Sequence, residues 1–282
     1  MTIWFSEPYA DGCKFDIKVT RHIHTEQTPF QKIDFFDSDE FGIFFVLDDY
    51  IMVTERDEFI YHDMIVHVPM AVNPKAKKVL VVGGGDGGTV RELTRYPGIE
   101  LIHLAEIDER VVRLCQKYLP LTAAKLGDPR VQMFFEDGIQ FVKKKRDFYD
   151  LVIVDSTDPI GPGVGLFTRE FYQDCHTALN ENGILVNQHE SPYYEIDVRA
   201  MLRAHTNLKP VFEICRVYQY HMPTYASGHL LFGFASKVLD PIADHQRQAW
   251  ESLGLKTKYY NSDIHVGSFA LPTYVKDLLA GV

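Results

Sequence analysis

Seven short apolar runs in the second part of the chain, most of them separated by helical patterns, constrain the fold more than any other feature. The runs are KKVLVVG, IELIHLAEID, VQMFFEDG, YDLVIVDSTD, GILVNQHES, FEICRVYQYHM and HLLFGFASK. Continuous apolar strands that alternate with helices are typical of a mostly parallel sheet covered by helices on both faces. We therefore predict an α/β domain over residues 65–282.

The first part of the chain follows a different pattern. Residues 15–54 are rich in Phe, Ile and Val, in short alternating runs such as KFDIKVTRHIH and FGIFFVLDDYIMVTE. Alternation of this kind predicts antiparallel strands. Residues 58–70 then have a helical pattern, which Asn73 and Pro74 end. We predict a small N-terminal antiparallel β domain over residues 1–64, with the α/β domain after it.

Composition limits the class of protein. A chain of 282 residues with 46% hydrophobic residues can bury a substantial core. The four cysteines, Cys13, Cys115, Cys175 and Cys215, are widely spaced, which favours neither a zinc site nor a disulfide framework. The N-terminus lacks the pattern of a signal peptide, and no apolar run approaches the roughly 20 residues of a membrane span. We expect a soluble protein of the reducing cytoplasm.

The formal net charge of -10 bears on the partners of the chain. An acidic surface repels nucleic acids and anionic membranes and attracts cationic small molecules. Acidity alone is also explained by solubility, so the charge matters only together with the motifs. We expect no nucleic acid and no membrane as partners, and small cations as ligands.

A glycine-rich turn, VVGGGDGGTVREL, joins the first α/β strand to a helix and contains the GxGxxG spacing at Gly83, Gly85 and Gly88. Such turns commonly bind phosphate through backbone N–H groups at a helix N-terminus. Asp86 lies inside this turn, where its negative charge would oppose a pyrophosphate. The motif by itself is weak evidence, but Asp86 argues against a nicotinamide or flavin dinucleotide and favours a nucleoside that carries positive charge.

Acidic residues also follow the next three strands. Glu106 ends the second strand, Asp137 and Gly138 follow the third, and Asp155 and Asp158 end the fourth. Each has a structural explanation as a helix cap or turn residue. Together along one cleft, however, they would be costly to bury without a cation. S-adenosylmethionine chemistry fits such a site, and the decarboxylated form fits better because an α-carboxylate would lie beside Asp86.

Five motifs extend this interpretation to a family. In chain order, MVTERDEFIYHDMIVHVPM, VLVVGGGDGGTVREL, AEIDERVV, DSTDPIGPGVGLF and MPTYASG closely resemble the spermidine synthase family of polyamine aminopropyltransferases, over nearly the whole chain. The resemblance implies an N-terminal β domain, a Rossmann-like domain of the methyltransferase type and a homodimer or homotetramer. It also implies transfer of an aminopropyl group from decarboxylated S-adenosylmethionine to putrescine, which yields spermidine and methylthioadenosine. This chemistry requires no metal and no further cofactor.

The resemblance also implies roles for individual residues. For the donor it implies the glycine turn, Gln31 at the nucleoside, Asp86 at the aminopropyl ammonium, Glu106 at the ribose, Asp137 and Gly138 near the adenine, and Pro162 in the covering loop. For the amine it implies Tyr61, His62, Asp86, Asp155, Asp158 and Tyr225. A primary amine has a pKa near 10.4, so freeing its lone pair at pH 7 costs about 4 to 5 kcal/mol. Asp155 is expected to orient the attacking amine and to receive its proton as the new bond forms.

Two departures from the family pattern concern the acceptor. Many members read GPAEGLF where this chain has Val164 in GPGVGLF, and PTYPSGQ where it has Ala226 and His229 in PTYASGH. These changes leave the acceptor open among putrescine, agmatine, cadaverine and longer polyamines. Two other hypotheses are a small-molecule methyltransferase that binds intact S-adenosylmethionine and a catalytically silent polyamine-binding protein.

Overall fold

The computed structural model describes residues 3–10, 12–156 and 161–282, with only the backbone described at residues 10, 161 and 162. The chain begins with an antiparallel hairpin of two strands, β1 (Ile3–Ala10) and β2 (Cys13–Val19). An antiparallel sheet in sequence order follows, made of β3 (Arg21–Gln27), β4 (Lys32–Ser38), β5 (Gly42–Leu47) and β6 (Tyr50–Thr54). This is the N-terminal antiparallel unit that the alternating sequence predicts.

Helix α1 (Glu58–Val72) links the two parts of the molecule. All of its residues except Phe59 are buried, so it serves as a central core helix instead of a surface helix. Met64, the last residue of the predicted N-terminal domain, lies in the middle of α1 and packs in one cluster with Phe35 and Phe45 of the small sheet. The helix therefore packs against the small sheet and the large sheet at once.

The second part of the chain forms one sheet of seven strands. They are β7 (Lys78–Gly83), β8 (Leu101–Ala105), β9 (Val131–Phe134), β10 (Tyr149–Asp155), β11 (Leu179–Gln188), β12 (Ile214–Tyr220) and β13 (Leu230–Ser236). Their order is β12-β13-β11-β10-β7-β8-β9. The pairs among β11, β10, β7, β8 and β9 are parallel, whereas β13 pairs antiparallel with β11 and β12. The prediction of a mostly parallel, Rossmann-like sheet is confirmed.

Helices and one 3-10 helix connect these strands and cover the sheet. They are α2 (Gly88–Thr94), α3 (Glu109–Tyr118), α4 (Pro120–Ala123), α5 (Gly138–Val142), the 3-10 helix (Gly161–Phe167), α6 (Arg169–Ala178), α7 (Glu195–Leu208), α8 (Arg247–Glu251), α9 (Ser262–Ser268) and α10 (Thr273–Ala280). No helix in the described ranges combines the length and the apolar character that crossing a membrane requires. All four cysteines are unpaired.

The central strand β7 shows why both faces of the sheet are covered. Its side chains alternate, so that Val79 and Val81 join the cluster that contains α1, α2 and α3, while Leu80 and Val82 join the cluster that contains α5 and α6. A strand that is apolar on both faces needs a helical layer on each face. This explains why KKVLVVG is continuously hydrophobic and not alternating.

The topology also determines where a ligand can bind. The chain adds β8 and β9 on one side of β7, and then β10 and β11 on the other side. The direction of the winding reverses between β7 and β10, which opens a crevice at the carboxyl ends of these strands. The glycine-rich turn follows β7 and Asp155 ends β10, so both motifs lie at this point.

Candidate active site

A cleft lies at the carboxyl edge of the parallel strands. Its lining contains most of the residues that the sequence predicts for the site, namely Gln31, Tyr61, His62, Gly83, Gly85, Asp86, Glu106, Asp137, Gly138, Asp155 and Tyr225. The remaining two, Asp158 and the side chain of Pro162, lie outside the described residues. The 3-10 helix that contains Pro162 contributes Gly163 and Leu166 to the lining.

The glycine turn after β7 is shaped by close neighbours from β10 and α1. Gly83 has a φ of +79°, and a Cβ at this position would overlap the backbone oxygen of Asp155. A Cβ at Gly88 would overlap the imidazole ring of His62. Glycine is therefore required here to admit the backbone of β10 and a histidine from α1. The close approach serves side chains of the protein itself, which differs from the phosphate contact usual for this motif.

Asp86 lies at the base of the turn and is only 8% exposed. Its Oδ1 accepts a hydrogen bond from the backbone N–H of Gly88 at 2.9 Å and lies 3.3 Å from Nε2 of His62. Burial raises the pKa of Asp86, but the charge and hydrogen bond of His62, together with the Gly88 N–H, outweigh it and hold the pKa below its ordinary value. Asp86 is therefore the carboxylate that stays ionised.

Asp155 has the opposite electrostatic environment. The Tyr61 hydroxyl donates to its Oδ1 at 2.7 Å, and the Thr89 hydroxyl donates to its Oδ2 at 2.6 Å. Burial and the negative charge of Asp86 raise the pKa of Asp155, against the opposing effects of His62 and the two hydroxyls. Two neighbouring carboxylates with pKa values shifted in opposite directions can divide their work, one binding a cation and the other receiving a proton.

Glu106 follows β8 on the other side of the turn. Its Oε1 accepts a hydrogen bond from the backbone N–H of Asp108 at 2.9 Å. Burial, and secondarily the charge of Asp108, raise the pKa of Glu106 to about 7 in spite of its backbone hydrogen bonds. The lack of a side chain at Gly85 leaves room for the carboxylate, since a Cβ there would lie 2.9 Å from Oε2 of Glu106.

Two further residues lie on the Glu106 side of the cleft. Asp137 caps α5 by accepting from the Ile139 N–H at 2.8 Å and also lines the cleft, so its two interpretations from sequence are compatible. Gln31 comes from the small sheet and donates through Nε2 to Oδ2 of Asp108 at 3.1 Å. Because Asp108 also caps α3, this hydrogen bond ties the small sheet to the wall of the cleft.

Tyr225 lies on the opposite side of the cleft. Its hydroxyl donates to the carbonyl oxygen of Met52 in β6 at 2.6 Å. Among the departures from the family pattern, Gly163, which stands where GPAEGLF has alanine, lies in the lining, whereas Val164, Ala226 and His229 do not. Val164 is 45% exposed, and the imidazole of His229 lies 2.9 Å from Gln219 and 3.1 Å from Tyr274. Any effect of Val164, Ala226 and His229 on the choice of amine is therefore indirect.

Several lining residues were missed by the sequence analysis. Gln188 and Glu190 lie at and just after the end of β11, so the strand-end rule that found Glu106 and Asp155 could have found them. Glu7 and Tyr9 come from the N-terminal hairpin, where no local pattern indicates a site. Thr89 holds Asp155 from the first turn of α2, and only the folded structure shows this contact.

The charged residues that line the cleft are mostly acidic. Its described lining contains seven carboxylates and no lysine or arginine; the acids are Glu7, Glu58, Asp86, Glu106, Asp137, Asp155 and Glu190. A cleft with this lining attracts cations and opposes phosphates. The cation that the protein itself supplies at this wall is His62, whose pKa is raised to about 10 by Asp86 and Glu58 in spite of burial.

Two groups of side chains among the described residues have the spacing of metal ligands: His62 with Asp86 and Asp155, and Asp63 with His67 and Glu92. A histidine binds a metal only through an unprotonated nitrogen. With the pKa of His62 raised to about 10, a metal would have to displace a proton from this ring at neutral pH. The absence of a metal stays a prediction, which the charge of His62 favours for the first group.

Comparison with known proteins agrees with this geometry. Residues 58–244 match the model of the spermine/spermidine synthase domain, and residues 3–55 match the spermidine synthase tetramerisation domain. The polyamine aminopropyltransferase of Clostridium beijerinckii is 61% identical over 282 residues, which cover 100% of this chain and 99% of that protein. The enzyme of the same name from Clostridium botulinum is 63% identical over 279 residues, covering 99% and 98% of the two chains.

A solved structure gives the same answer for the fold. The crystal structure of a spermidine synthase in complex with the transition state analogue AdoDATO superposes with a TM-score of 0.96 at 41% identity, covering 99% of this chain and 96% of that one. The match therefore includes the small N-terminal sheet as well as the large sheet. The chain belongs to the spermine/spermidine synthase family of polyamine aminopropyltransferases.

Proposed function

We propose that this aminopropyltransferase uses decarboxylated S-adenosylmethionine as donor and putrescine as acceptor, and releases spermidine and methylthioadenosine. The observation that supports this proposal best is the pair Asp86 and Asp155. These buried carboxylates share one wall of an acidic cleft, and their pKa values are shifted in opposite directions. One is suited to hold an ammonium group and the other to accept a proton from an attacking amine.

The donor site is assembled from the strand ends on the β7 side of the sheet. In the proposal the carboxylate of Glu106 accepts hydrogen bonds from the ribose hydroxyls, while Asp137, Gly138 and Gln31 surround the adenosine. Asp86 holds the ammonium of the aminopropyl chain. Intact S-adenosylmethionine would place its α-carboxylate beside Asp86, so the decarboxylated donor is preferred.

The transfer itself is a single displacement. The amine nitrogen forms a bond to the aminopropyl carbon as the bond between that carbon and the sulfonium sulfur breaks, which leaves neutral methylthioadenosine. The new secondary ammonium then carries the positive charge, and its extra proton goes to Asp155. Anions stabilise the cationic ground state as well as the transition state, so most of the acceleration comes from in-line alignment of the two substrates. No metal or cofactor enters this sequence of steps.

The acceptor occupies the side of the cleft near Tyr61 and Tyr225. The attacking nitrogen lies beside Asp155, and the distal ammonium requires a second anion. The sequence proposes Asp158 for this role, and the structure adds Glu7, which lines the same cleft and accepts a hydrogen bond from the Ile51 N–H at 3.1 Å. The separation between two anchoring groups would set the length of the preferred amine.

Product analysis tests the proposal. Purified protein is incubated with decarboxylated S-adenosylmethionine and, separately, putrescine, cadaverine, agmatine and spermidine, and products are identified by mass spectrometry. We expect aminopropylated putrescine and methylthioadenosine in equal amounts, at a higher kcat/KM than for the other amines. A higher kcat/KM with another amine would overturn only the choice of putrescine as the acceptor. Methylated product from intact S-adenosylmethionine would overturn the whole assignment.

We further propose that the chain assembles into a homo-oligomer through its N-terminal part. Residues 3–55 match a domain that is described as a tetramerisation domain. The exposed side chains of Ile3 and Trp4, which are 58% and 56% exposed, offer an apolar surface on β1. Light scattering coupled to size exclusion would give the number of subunits, with a monomer at micromolar concentration as the contradicting result.

A further inference from the structure

His62 is clamped between two carboxylates in the wall of the cleft. Its Nδ1 lies 2.6 Å from Oε2 of Glu58, and its Nε2 lies 3.3 Å from Oδ1 of Asp86. The side chains of His62 and Glu58 are only 2% and 3% exposed. Gly88 packs against the ring so closely that a Cβ there would overlap it, so the imidazole is enclosed on this side as well. The ring therefore has little freedom to exchange these partners for water.

Arg91 in α2 fixes Glu58 from the other side. Its Nη1 donates to Oε1 of Glu58 at 2.9 Å and its Nη2 donates to Oε2 at 2.8 Å. A two-point contact between a guanidinium and a carboxylate fixes both the position and the plane of the carboxylate. The four side chains thus form a buried line of alternating charge, from Arg91 through Glu58 and His62 to Asp86.

The geometry favours a doubly protonated ring. A neutral imidazole has one N–H and one bare lone pair, so one of its two carboxylate neighbours would face a lone pair. An imidazolium donates from both nitrogens and satisfies both. Burial lowers the pKa of His62, but Asp86 and Glu58 outweigh burial and raise it to about 10. The other titratable groups at this cluster include Tyr61 on the same helix and Asp155 on β10, which feels the charges of both Asp86 and His62. Glu92 on α2 lies 2.9 Å from Nε of Arg91, and Cys115 on α3 has a pKa that burial and Asp86 raise.

We propose that Glu58 is a positioning residue for the reaction: held by Arg91, it keeps His62 cationic, so that Asp86 stays ionised and is available to the charged tail of the donor. Two buried neighbouring carboxylates resist simultaneous ionisation, and Asp86 and Asp155 are such a pair. The imidazolium of His62 determines that Asp86, and not Asp155, is the carboxylate that stays ionised. The proposal rests on the proposed function only for the identity of the donor.

Imidazole ¹⁵N NMR tests the first step directly, without any ligand. The His62 signals, identified by their loss in His62→Gln, are followed from pH 5 to 10 in the wild-type chain and in Glu58→Gln. We expect both ring nitrogens of wild-type His62 to remain protonated through pH 8, and the midpoint of titration to fall by at least about one pH unit in Glu58→Gln. A neutral His62 in the wild-type chain at pH 7.5 would overturn the proposal, whether or not the variant folds.

Calorimetry tests the consequence for the donor. Methylthioadenosine lacks the aminopropyl ammonium, so Glu58→Gln is expected to leave its affinity within about twofold while weakening decarboxylated S-adenosylmethionine at least about tenfold. Glu251→Gln is the matched control, because Glu251 pairs with Arg247 four residues away on the surface. Equal losses for both ligands, or no loss for the cationic one, would refute the positioning role. A wild-type chain that binds methylthioadenosine but not the cationic donor would overturn the proposed function. In that case the NMR titration would still test whether Glu58 keeps His62 cationic.

Discussion

The hydroxyl of Tyr61 donates to Oδ1 of Asp155 at 2.7 Å, so a residue of α1 orients the carboxylate at the end of β10. Thr89 makes the same kind of contact with the other oxygen at 2.6 Å. These hydroxyls favour the ionised form of Asp155, whereas burial and Asp86 disfavour it. The balance leaves a carboxylate with a raised pKa that is held in one orientation and has further lone pairs to receive a proton.

Replacement of Tyr61 by Phe tests this balance. The variant loses one donor to Asp155, and we expect kcat to fall by about 10- to 150-fold, because the loss of one hydrogen bond to a charged group typically costs about 1.5 to 3 kcal/mol. Because the Tyr61 hydroxyl lowers the pKa of Asp155, the acidic limb of the pH–rate profile should move to higher pH. The measurement is kcat from pH 5 to 9. Tyr274→Phe, at a 44% exposed site, is the control, and a profile identical to that of the wild type would contradict the prediction.

Replacement of Asp155 by Asn removes the proposed proton acceptor and nearly preserves the shape of the side chain. We expect the single-turnover rate to fall by about 10² to 10⁴, the usual range for general base catalysis, while the affinity for methylthioadenosine changes little. Asp147→Asn, at a 68% exposed side chain, is the control for a generic loss of one carboxylate. Retention of the single-turnover rate would show that Asp155 does not receive the proton.

The raised pKa of Glu106 predicts two opposite pH effects. Its pKa is about 7 in the folded chain against 4.5 ordinarily, so the free protein gains stability from this group at low pH and loses it as the pH rises through 7. Ribose hydroxyls donate best to the ionised form of Glu106. The affinity for methylthioadenosine should therefore rise as the pH approaches 7 and level off above pH 7. Thermal unfolding and calorimetry from pH 5 to 8.5 measure the two trends. Glu106→Gln should abolish the pH dependence of affinity, and an unchanged dependence in that variant would contradict the assignment.

Asp57 connects the start of α1 to the loop that carries Tyr225. Its Oδ2 accepts from the N–H and the hydroxyl of Thr224 at 3.1 and 2.7 Å, while the Thr54 hydroxyl donates to Oδ1 at 2.6 Å. We expect Asp57→Ala to cost about 1 to 3 kcal/mol in the free energy of unfolding, because it leaves buried donors unsatisfied. The KM for the amine should rise while the affinity for methylthioadenosine is kept.

A double-mutant cycle separates this contact from general damage. Thr224→Val removes the hydroxyl partner, and urea unfolding is measured for both single variants and the double variant. A coupling energy of at least about 0.5 kcal/mol is expected for residues in direct contact. Additive losses would mean that Asp57 acts through Thr54 or the helix start instead.

The sequence predicts which residues at the strand ends line the cleft, for a physical reason. Gly85, Glu106, Asp137 and Asp155 each follow a parallel strand, and the carboxyl ends of parallel strands meet at one edge of a sheet. Local patterns therefore placed these residues together before any contact was known. The strands are predictable for a similar reason, because their apolar runs are continuous.

The other residues of the site are not predictable from local patterns, because they depend on contacts between distant parts of the chain. Glu7 reaches the cleft only because the hairpin folds over it, and the charge line from Arg91 to Asp86 joins two helices and a turn. Two helices can pack against each other in many ways even when their bounds are predicted correctly. No spacing in the sequence therefore identifies Arg91 of α2 as the partner of Glu58 in α1. The glycine turn is the instructive case, since Gly88 is needed to admit an imidazole from another helix and not to approach a phosphate.

The most direct test of the account compares decarboxylated and intact S-adenosylmethionine in one calorimetric experiment, with methylthioadenosine as the uncharged reference. The two donors differ by a single carboxylate, which would lie near Asp86. Like charges about 5 Å apart at an effective dielectric constant of about 20 repel by about 3 kcal/mol, or more than about 100-fold in affinity. The acidic cleft therefore predicts that the decarboxylated donor binds at least about 100-fold more tightly. Equal affinity for the two would contradict the claim that negative charge selects the donor.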